Sequence, residues 1–251
     1  MSLPSSSTHD SLPLPGSQPI LCYVTDRRSL RVAPQEDLIK HLLGKIESVA
    51  AANVDWIQLR EKDLSGRDFA LLTREAATRI SRQAGRSQAA TRLLVNDRLD
   101  VALSEQSGGV HLRENSLPPK EAKRLLLASR LAQSSLHDFL VGVSCHSLAA
   151  AQSAASTGAD YIFFGPVFAT PSKAVYGEPQ GIERLAEVCR SITIPVLAIG
   201  GITLENVFSC FSAGAAGIAA IRLFQDSTDL AATVRMIRKQ NFQAPPAGAA
   251  T

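Results

Sequence analysis

Between residues 20 and 239 the chain alternates short apolar runs with amphipathic stretches, and the alternation repeats eight times. The apolar runs lie at 20–26, 54–60, 92–96, 109–112, 140–145, 161–165, 195–199 and 217–221. Helical periodicity predicts helices over 35–52, 66–84, through Leu99 and Leu103, after Pro118-Pro119, from Ser147 through Ala155, from about 182, from Thr203 with Asn206, and over 228–239. Strands that alternate with helices must run parallel and be joined by right-handed crossovers. Eight such units predict a single-domain α/β fold, a closed (β/α)8 TIM barrel over residues 20–240. The alternative is an open doubly wound sheet, which usually has fewer units. Its Gly-x-Gly-x-x-Gly signature does not follow the first run.

The run at 54–60 continues into Arg60-Glu-Lys62, and strand alternation puts Gln58, Arg60 and Lys62 on one side, with Ile57 and Leu59 on the other. If helices cover the Ile57/Leu59 side, the polar three face the barrel interior at its C-terminal mouth, where barrel active sites sit. Two cations converging there make an anion site; a solvated turn is the plainer alternative. Trp56 shares the Gln58 face at greater depth and reads as barrel packing. Other strand ends bring Asn96 and Asp97, His111 with Glu114, Ser144 and His146, Thr170, Ser172 and Lys173, and Gly200-Gly201. Cations, hydroxyls and a carboxylate together suit a phosphorylated substrate and a divalent metal. Gly200-Gly201-Ile-Thr203 has the form of a phosphate turn leading to a helix start, or simply of a tight turn. Lys173 stands in a glycine-punctuated loop long enough to act as a lid, though a loop lysine is usually solvated. Asp97 reads equally as a helix cap, His146 as a capping neighbour, and His111 as a satisfied core residue.

Composition narrows the class without naming a reaction. The formal charge of +3 is spread out and contains no basic run, which argues against nucleic acid or an anionic membrane as partner. Cys22, Cys145, Cys189 and Cys210 are far apart with no Cys-x-x-Cys, as expected of reduced thiols in a cytoplasmic protein. Residues 1–19 are rich in Ser and Pro and read as a disordered leader, and 241–251 read as a tail. No segment reaches the length and hydrophobicity of a membrane span. Association into a homo-oligomer is left open.

The ordered motifs Gln-Leu-Arg-Glu-Lys62, Val-Asn-Asp97, Gly-Val-His-Leu112, Gly-Val-Ser-Cys-His146, Gly-Pro-Val-Phe-Ala-Thr-Pro-Ser-Lys173 and Ala-Ile-Gly-Gly-Ile-Thr203 resemble the thiamine phosphate synthase family and its relative, the thiazole tautomerases. The resemblance implies an enzyme that joins hydroxymethylpyrimidine diphosphate to a thiazole phosphate and releases diphosphate. It implies that Arg60, Lys62, Asn96, Ser144 and Lys173 hold the diphosphate, that Asp97 binds Mg²⁺, and that Gln58 lies near the pyrimidine. Thr170 and Ser172 would meet the thiazole phosphate, with backbone N–H groups at Gly200, Gly201 and the end of the eighth strand, Ile221-Arg222. Three departures stand out. Ser116 replaces the Asp of the family's His-Leu-Gly-Gln-x-Asp, leaving Glu114 as a substitute ligand; Ile221-Arg222 replaces an Ile-Ser pair; and the lid is closer to the tautomerase branch. A tautomerase using His146 as acid–base is therefore the second expectation, and a non-catalytic phosphate-binding barrel the third.

Overall fold

The structure, a computed structural model, describes residues 18–84, 90–129, 138–170 and 178–239. Apart from Gln18 and Pro19, the expected leader and tail lie outside the described residues. Eight parallel strands, β1 Ile20–Val24, β2 Trp56–Leu59, β3 Arg92–Asn96, β4 Gly109–Leu112, β5 Leu140–Cys145, β6 Tyr161–Phe164, β7 Val196–Ile199 and β8 Gly217–Ala220, pair in chain order. β1 also pairs with β8, so the sheet closes into the expected barrel. No described helix is long and apolar enough to cross a membrane.

The strands are apolar on both faces because both are covered. Leu21, Tyr23, Ile57, Leu59, Val95 and Phe164 pack outward under the helices, while Cys22, Trp56, Leu94, Tyr161, Phe163 and Leu197 fill the barrel. The inner rings stack: Trp56 and Tyr161 have centroids 4.7 Å apart. Gln58 lies two residues beyond Trp56 on that inner face, toward the mouth, and is buried there.

The helices are α1 Leu38–Ala51, α2 Gly66–Ala84, α3 Leu99–Ser104, α4 Pro119–Ala128, α5 Leu148–Ser156, α6 Gly181–Ser191, α7 Val207–Ser212, α8 Arg222–Gln225 and α9 Leu230–Lys239. Ser147 caps α5 and Pro119 occupies the first turn of α4, as read from the sequence. α1 starts later than expected because the Asp37 carboxylate accepts the N–H groups of Ile39 and Lys40, which sets the boundary. α7 also starts late, at Val207 and not at Thr203. The Asn206 side chain accepts from the Thr203 N–H at 2.8 Å and donates to the Gly201 carbonyl at 2.8 Å, holding 201–206 as a turn. The short α8 was not anticipated, since four residues cannot display a helical period. It is held by Phe224, fully buried, and by Gln225, which joins the Tyr23 hydroxyl to the Ser29 hydroxyl at 2.8 and 2.7 Å.

Candidate active site

At the inner mouth, the Gln58 amide donates to Asn96 Oδ1 at 2.8 Å, so two polar side chains from neighbouring strands brace each other. Asn96 pairs in register with His111 on β4. His111 is buried, with Nδ1 3.1 Å from the Tyr161 hydroxyl and Nε2 2.9 Å from Ser144 Oγ. Burial, and secondarily the Arg60 charge, push its pKa down to about 3, so the ring is neutral. The Tyr161 hydroxyl is buried and has no other hydrogen-bond partner among the described residues, so it donates to Nδ1. Nε2–H then donates to Ser144, whose own proton is left for an acceptor in the mouth. His111 is a satisfied core residue, as expected, and it also orients Ser144.

That neutral histidine gives stability a pH dependence. Between pH 6.5 and about 3 the unfolded chain binds a proton at this position that the folded chain refuses, so stability is present above pH 6.5 and falls toward acid. Urea unfolding at about pH 7 and about pH 5 should differ by about 2 kcal/mol more in the native protein than in His111→Gln. Equal differences in the two proteins would mean His111 titrates normally.

The outer ring is more highly charged. Glu61, Lys62, Phe69, Asn96, Asp97 and Arg113 are among the residues lining a cavity of about 240 Å³ at the C-terminal ends of β2, β3 and β4. Lys62 is exposed at its rim. Partial burial and the nearby Arg60 and Arg113 guanidiniums lower its pKa, the response of a cation among like charges. An anion entering here relieves that repulsion. A larger depression of about 420 Å³, lined in part by Asn53, Arg235, Arg238 and Lys239, lies at the other end of the barrel, away from the strand C-termini.

Glu61 escaped the sequence reading, although it falls in the phase of Ile57 and Leu59 and so had to find a partner on the covered face. It is buried and accepts from Thr25 Oγ1 at 2.7 Å, from the Arg27 N–H at 3.2 Å and from Arg27 Nη1 at 2.9 Å. Thr25 Oγ1 in turn accepts the Arg60 N–H at 2.9 Å. Arg27 also forks onto Asp63 at 2.7 and 2.5 Å, which holds that carboxyl down to about 2. The turn bearing Arg60 and Lys62 is thus bound to the end of β1. Glu61→Ala leaves Arg27 with only part of its pairing, and should cost about 3 kcal/mol and lower the melting temperature by about 6–12 °C. An unchanged thermal melt would show that the network carries no net stability.

Asp97 is held with φ at +57° and its N–H donates to the His111 carbonyl at 2.8 Å. It does not cap α3, whose N-cap position is Arg98 with no side-chain bond. Its Oδ2 accepts from Arg113 Nε at 2.5 Å, while Oδ1 is buried without a hydrogen-bond partner among the described residues. Glu114, expected as a substitute metal ligand, accepts the His146 N–H through Oε2 at 2.8 Å, because the chain after β4 runs beside the end of β5. Among the described residues no group of three or more His, Cys, Asp or Glu is arranged to hold a metal. An orphaned carboxylate oxygen still fits Mg²⁺, which is commonly held by one or two carboxylates with substrate phosphate oxygens and water. Ser116 can contribute only a hydroxyl.

His146 is exposed, and its Nδ1 donates to the Gly165 carbonyl, which leaves Nε2 as an acceptor. Gly200 and Gly201 have φ of +97° and +67°, and the loop after β6 lies directly on them. A Cβ on Gly200 would come within 2.6 Å of Pro166 Cα, and one on Gly201 within 2.5 Å of the Ala169 carbonyl oxygen. These glycines therefore seat that loop, and the helix start expected immediately behind them lies farther on, at Val207. Thr170 stands at the end of the described part of the same loop; Ser172 and Lys173 lie outside the described residues. Ile221 packs beside the inner cluster, and Arg222 is exposed at the start of α8.

Comparison with known proteins gives the family. The family model for thiamine monophosphate synthase matches residues 29–224. A thiamine-phosphate synthase of Roseiflexus sp. is 36% identical over 235 residues, 94% of this chain and 90% of that protein. The thiamine-phosphate synthase of Methanoculleus marisnigri is 42% identical over 190 residues, 75% of this chain and 82% of that one. Among solved structures, thiamine phosphate pyrophosphorylase from Pyrococcus furiosus superposes with a TM-score of 0.69 at 28% identity, covering 88% of this chain and 94% of its own. Motifs in order on successive strands, a closed barrel with a cation-lined mouth, and relatives matched over most of their length converge: this chain belongs to the thiamine monophosphate synthase family.

Proposed function

We propose that this barrel mouth carries out thiamine-phosphate synthesis. The enzyme is a transferase that joins hydroxymethylpyrimidine diphosphate to thiazole phosphate and releases diphosphate. The observation that carries the reading is the cavity lined by Lys62, Asn96, Arg113 and Asp97, whose Oδ1 has no hydrogen-bond partner among the described residues. Diphosphate leaves a benzyl-like carbon only where its growing charge meets cations already in place. Arg60, Lys62 and Lys173 provide that charge, and Asn96 and Ser144 provide neutral donors. His111 holds Ser144 so that its hydroxyl proton faces the leaving oxygens. Gln58, braced by Asn96, positions the pyrimidine, whose ring carries the positive charge until the thiazole nitrogen captures it.

Mg²⁺, when bound, would neutralise charge on the diphosphate, and Asp97 Oδ1 is the atom that would hold it. Thr170, Ser172 and backbone N–H groups near Gly200, Gly201, Ile221 and Arg222 would receive the thiazole phosphate. His146, with Nε2 as an acceptor, lies at the same mouth and needs no covalent role. Partners on this reading are phosphorylated small molecules, and the free thiols support a cytoplasmic location.

The test is diphosphate release. With Mg²⁺ and both substrates, free diphosphate should accumulate turnover after turnover, and either substrate alone should give little. Release at the same rate without the thiazole would make the protein a hydrolase of the pyrimidine diphosphate.

A further inference from the structure

We propose that Arg113 is a substrate-binding residue that shares Asp97 with the divalent cation: it rests on the carboxylate in the free enzyme and moves onto the diphosphate when metal and diphosphate bind together. This rests on the proposed function and deepens it.

The geometry is asymmetric. Arg113 takes Asp97 Oδ2 through Nε at 2.5 Å, while Oδ1 stays buried with no partner among the described residues. Its terminal nitrogens, Nη1 and Nη2, hydrogen-bond to no described residue, and its side chain is 64% exposed, so the guanidinium can swing on a surface stem. It lines the same cavity as Lys62 and Asn96, where the diphosphate is inferred to bind. Asp97 stands on a held backbone, because its N–H donates to the His111 carbonyl, and its side chain is only 18% exposed. A swinging cation against a largely buried carboxylate is an exchangeable pair.

Electrostatics then orders the binding. A divalent cation approaching Asp97 alone finds the carboxylate neutralised and a guanidinium beside it, with Ser116 adding no charge. A diphosphate alone meets cations but leaves Asp97 facing it. When metal and diphosphate arrive together, the metal takes Asp97 and the guanidinium, released, takes phosphate oxygens in the bidentate manner arginine favours. Each ligand therefore improves the site for the other, and the coupling is reciprocal.

The experiment measures binding, not turnover. Mn²⁺ alone, inorganic diphosphate alone, and inorganic diphosphate with saturating Mn²⁺ are titrated into the native protein, Arg113→Gln, Arg113→Lys and Asp97→Asn, with Mn²⁺ followed by electron paramagnetic resonance. Arg113→Gln should bind Mn²⁺ alone about tenfold more tightly, bind diphosphate in the presence of Mn²⁺ about tenfold more weakly, and so lose most of the coupling. Arg113→Lys, a charge without the fork, should fall between the two. Unchanged Mn²⁺ affinity in Arg113→Gln would show that the guanidinium does not hold Asp97 in solution. Tighter Mn²⁺ with unchanged diphosphate affinity would reduce Arg113 to a lock on the carboxylate; either result overturns the proposal. If Asp97→Asn binds Mn²⁺ as the native protein does, the metal reading of the site fails, whatever Arg113 does.

Discussion

Asp97→Asn is expected to lower metal-dependent turnover by about 1,000-fold or more, because one carboxylate oxygen is the anchor for charge that must be neutralised as diphosphate departs. On the proposed reading that burden falls on Asp97. Among the described residues Oδ1 has no hydrogen-bond partner, Glu114 Oε2 already accepts the His146 N–H, and Ser116 carries no charge. The reciprocal change, Ser116→Asp, should lower the Mg²⁺ concentration needed for half-maximal rate by supplying the second carboxylate that the family resemblance implies. Titrating Mg²⁺ against product formation in the three proteins checks both. Full activity in Asp97→Asn together with an unmoved midpoint in Ser116→Asp would leave the reaction without a catalytic metal at this position.

Lys62→Ala should reduce kcat by about 100-fold, the cost of one oriented donor that acts mainly on transition-state charge. Its turn is bound to β1 through Glu61, Thr25 and Arg27, so the ammonium is presented from a fixed base. Because Lys62 is an exposed side chain, its removal should spare the fold, and a thermal melt separates lost chemistry from lost structure. Native rates in a folded Lys62→Ala protein would make this lysine a solvated rim residue and shift the anion site toward Arg60 and Arg113.

Much of this architecture was legible because barrel physics writes itself into periodicity. Two-sided burial makes each strand an apolar run, and alternation separated Trp56 and Gln58 from Ile57 and Leu59 as the structure does. What stayed hidden was set by side-chain competition. Asp37 and Asn206 moved two helix starts by capturing backbone groups, and α8 depends on Gln225 meeting Tyr23 across the chain. Glu61 was visible as a charge in an apolar phase, but its partner Arg27 belongs to another strand end. Arg113 carried no signal of its own in the sequence. That it reaches Asp97 follows from β3 and β4 lying side by side, which requires the assembled barrel.

Ser116 and the sequence of the lid are the features most consistent with a tautomerase, while the matched relatives carry the name of the synthase. One measurement decides between them. The protein is incubated with hydroxymethylpyrimidine diphosphate, thiazole phosphate and Mg²⁺ in deuterated water, and products are resolved by mass spectrometry. Thiamine phosphate, formed with diphosphate in equal amount, is the predicted result. Deuterium uptake into the thiazole or its isomerisation, with no thiamine phosphate, would contradict the account and make this barrel an isomerase.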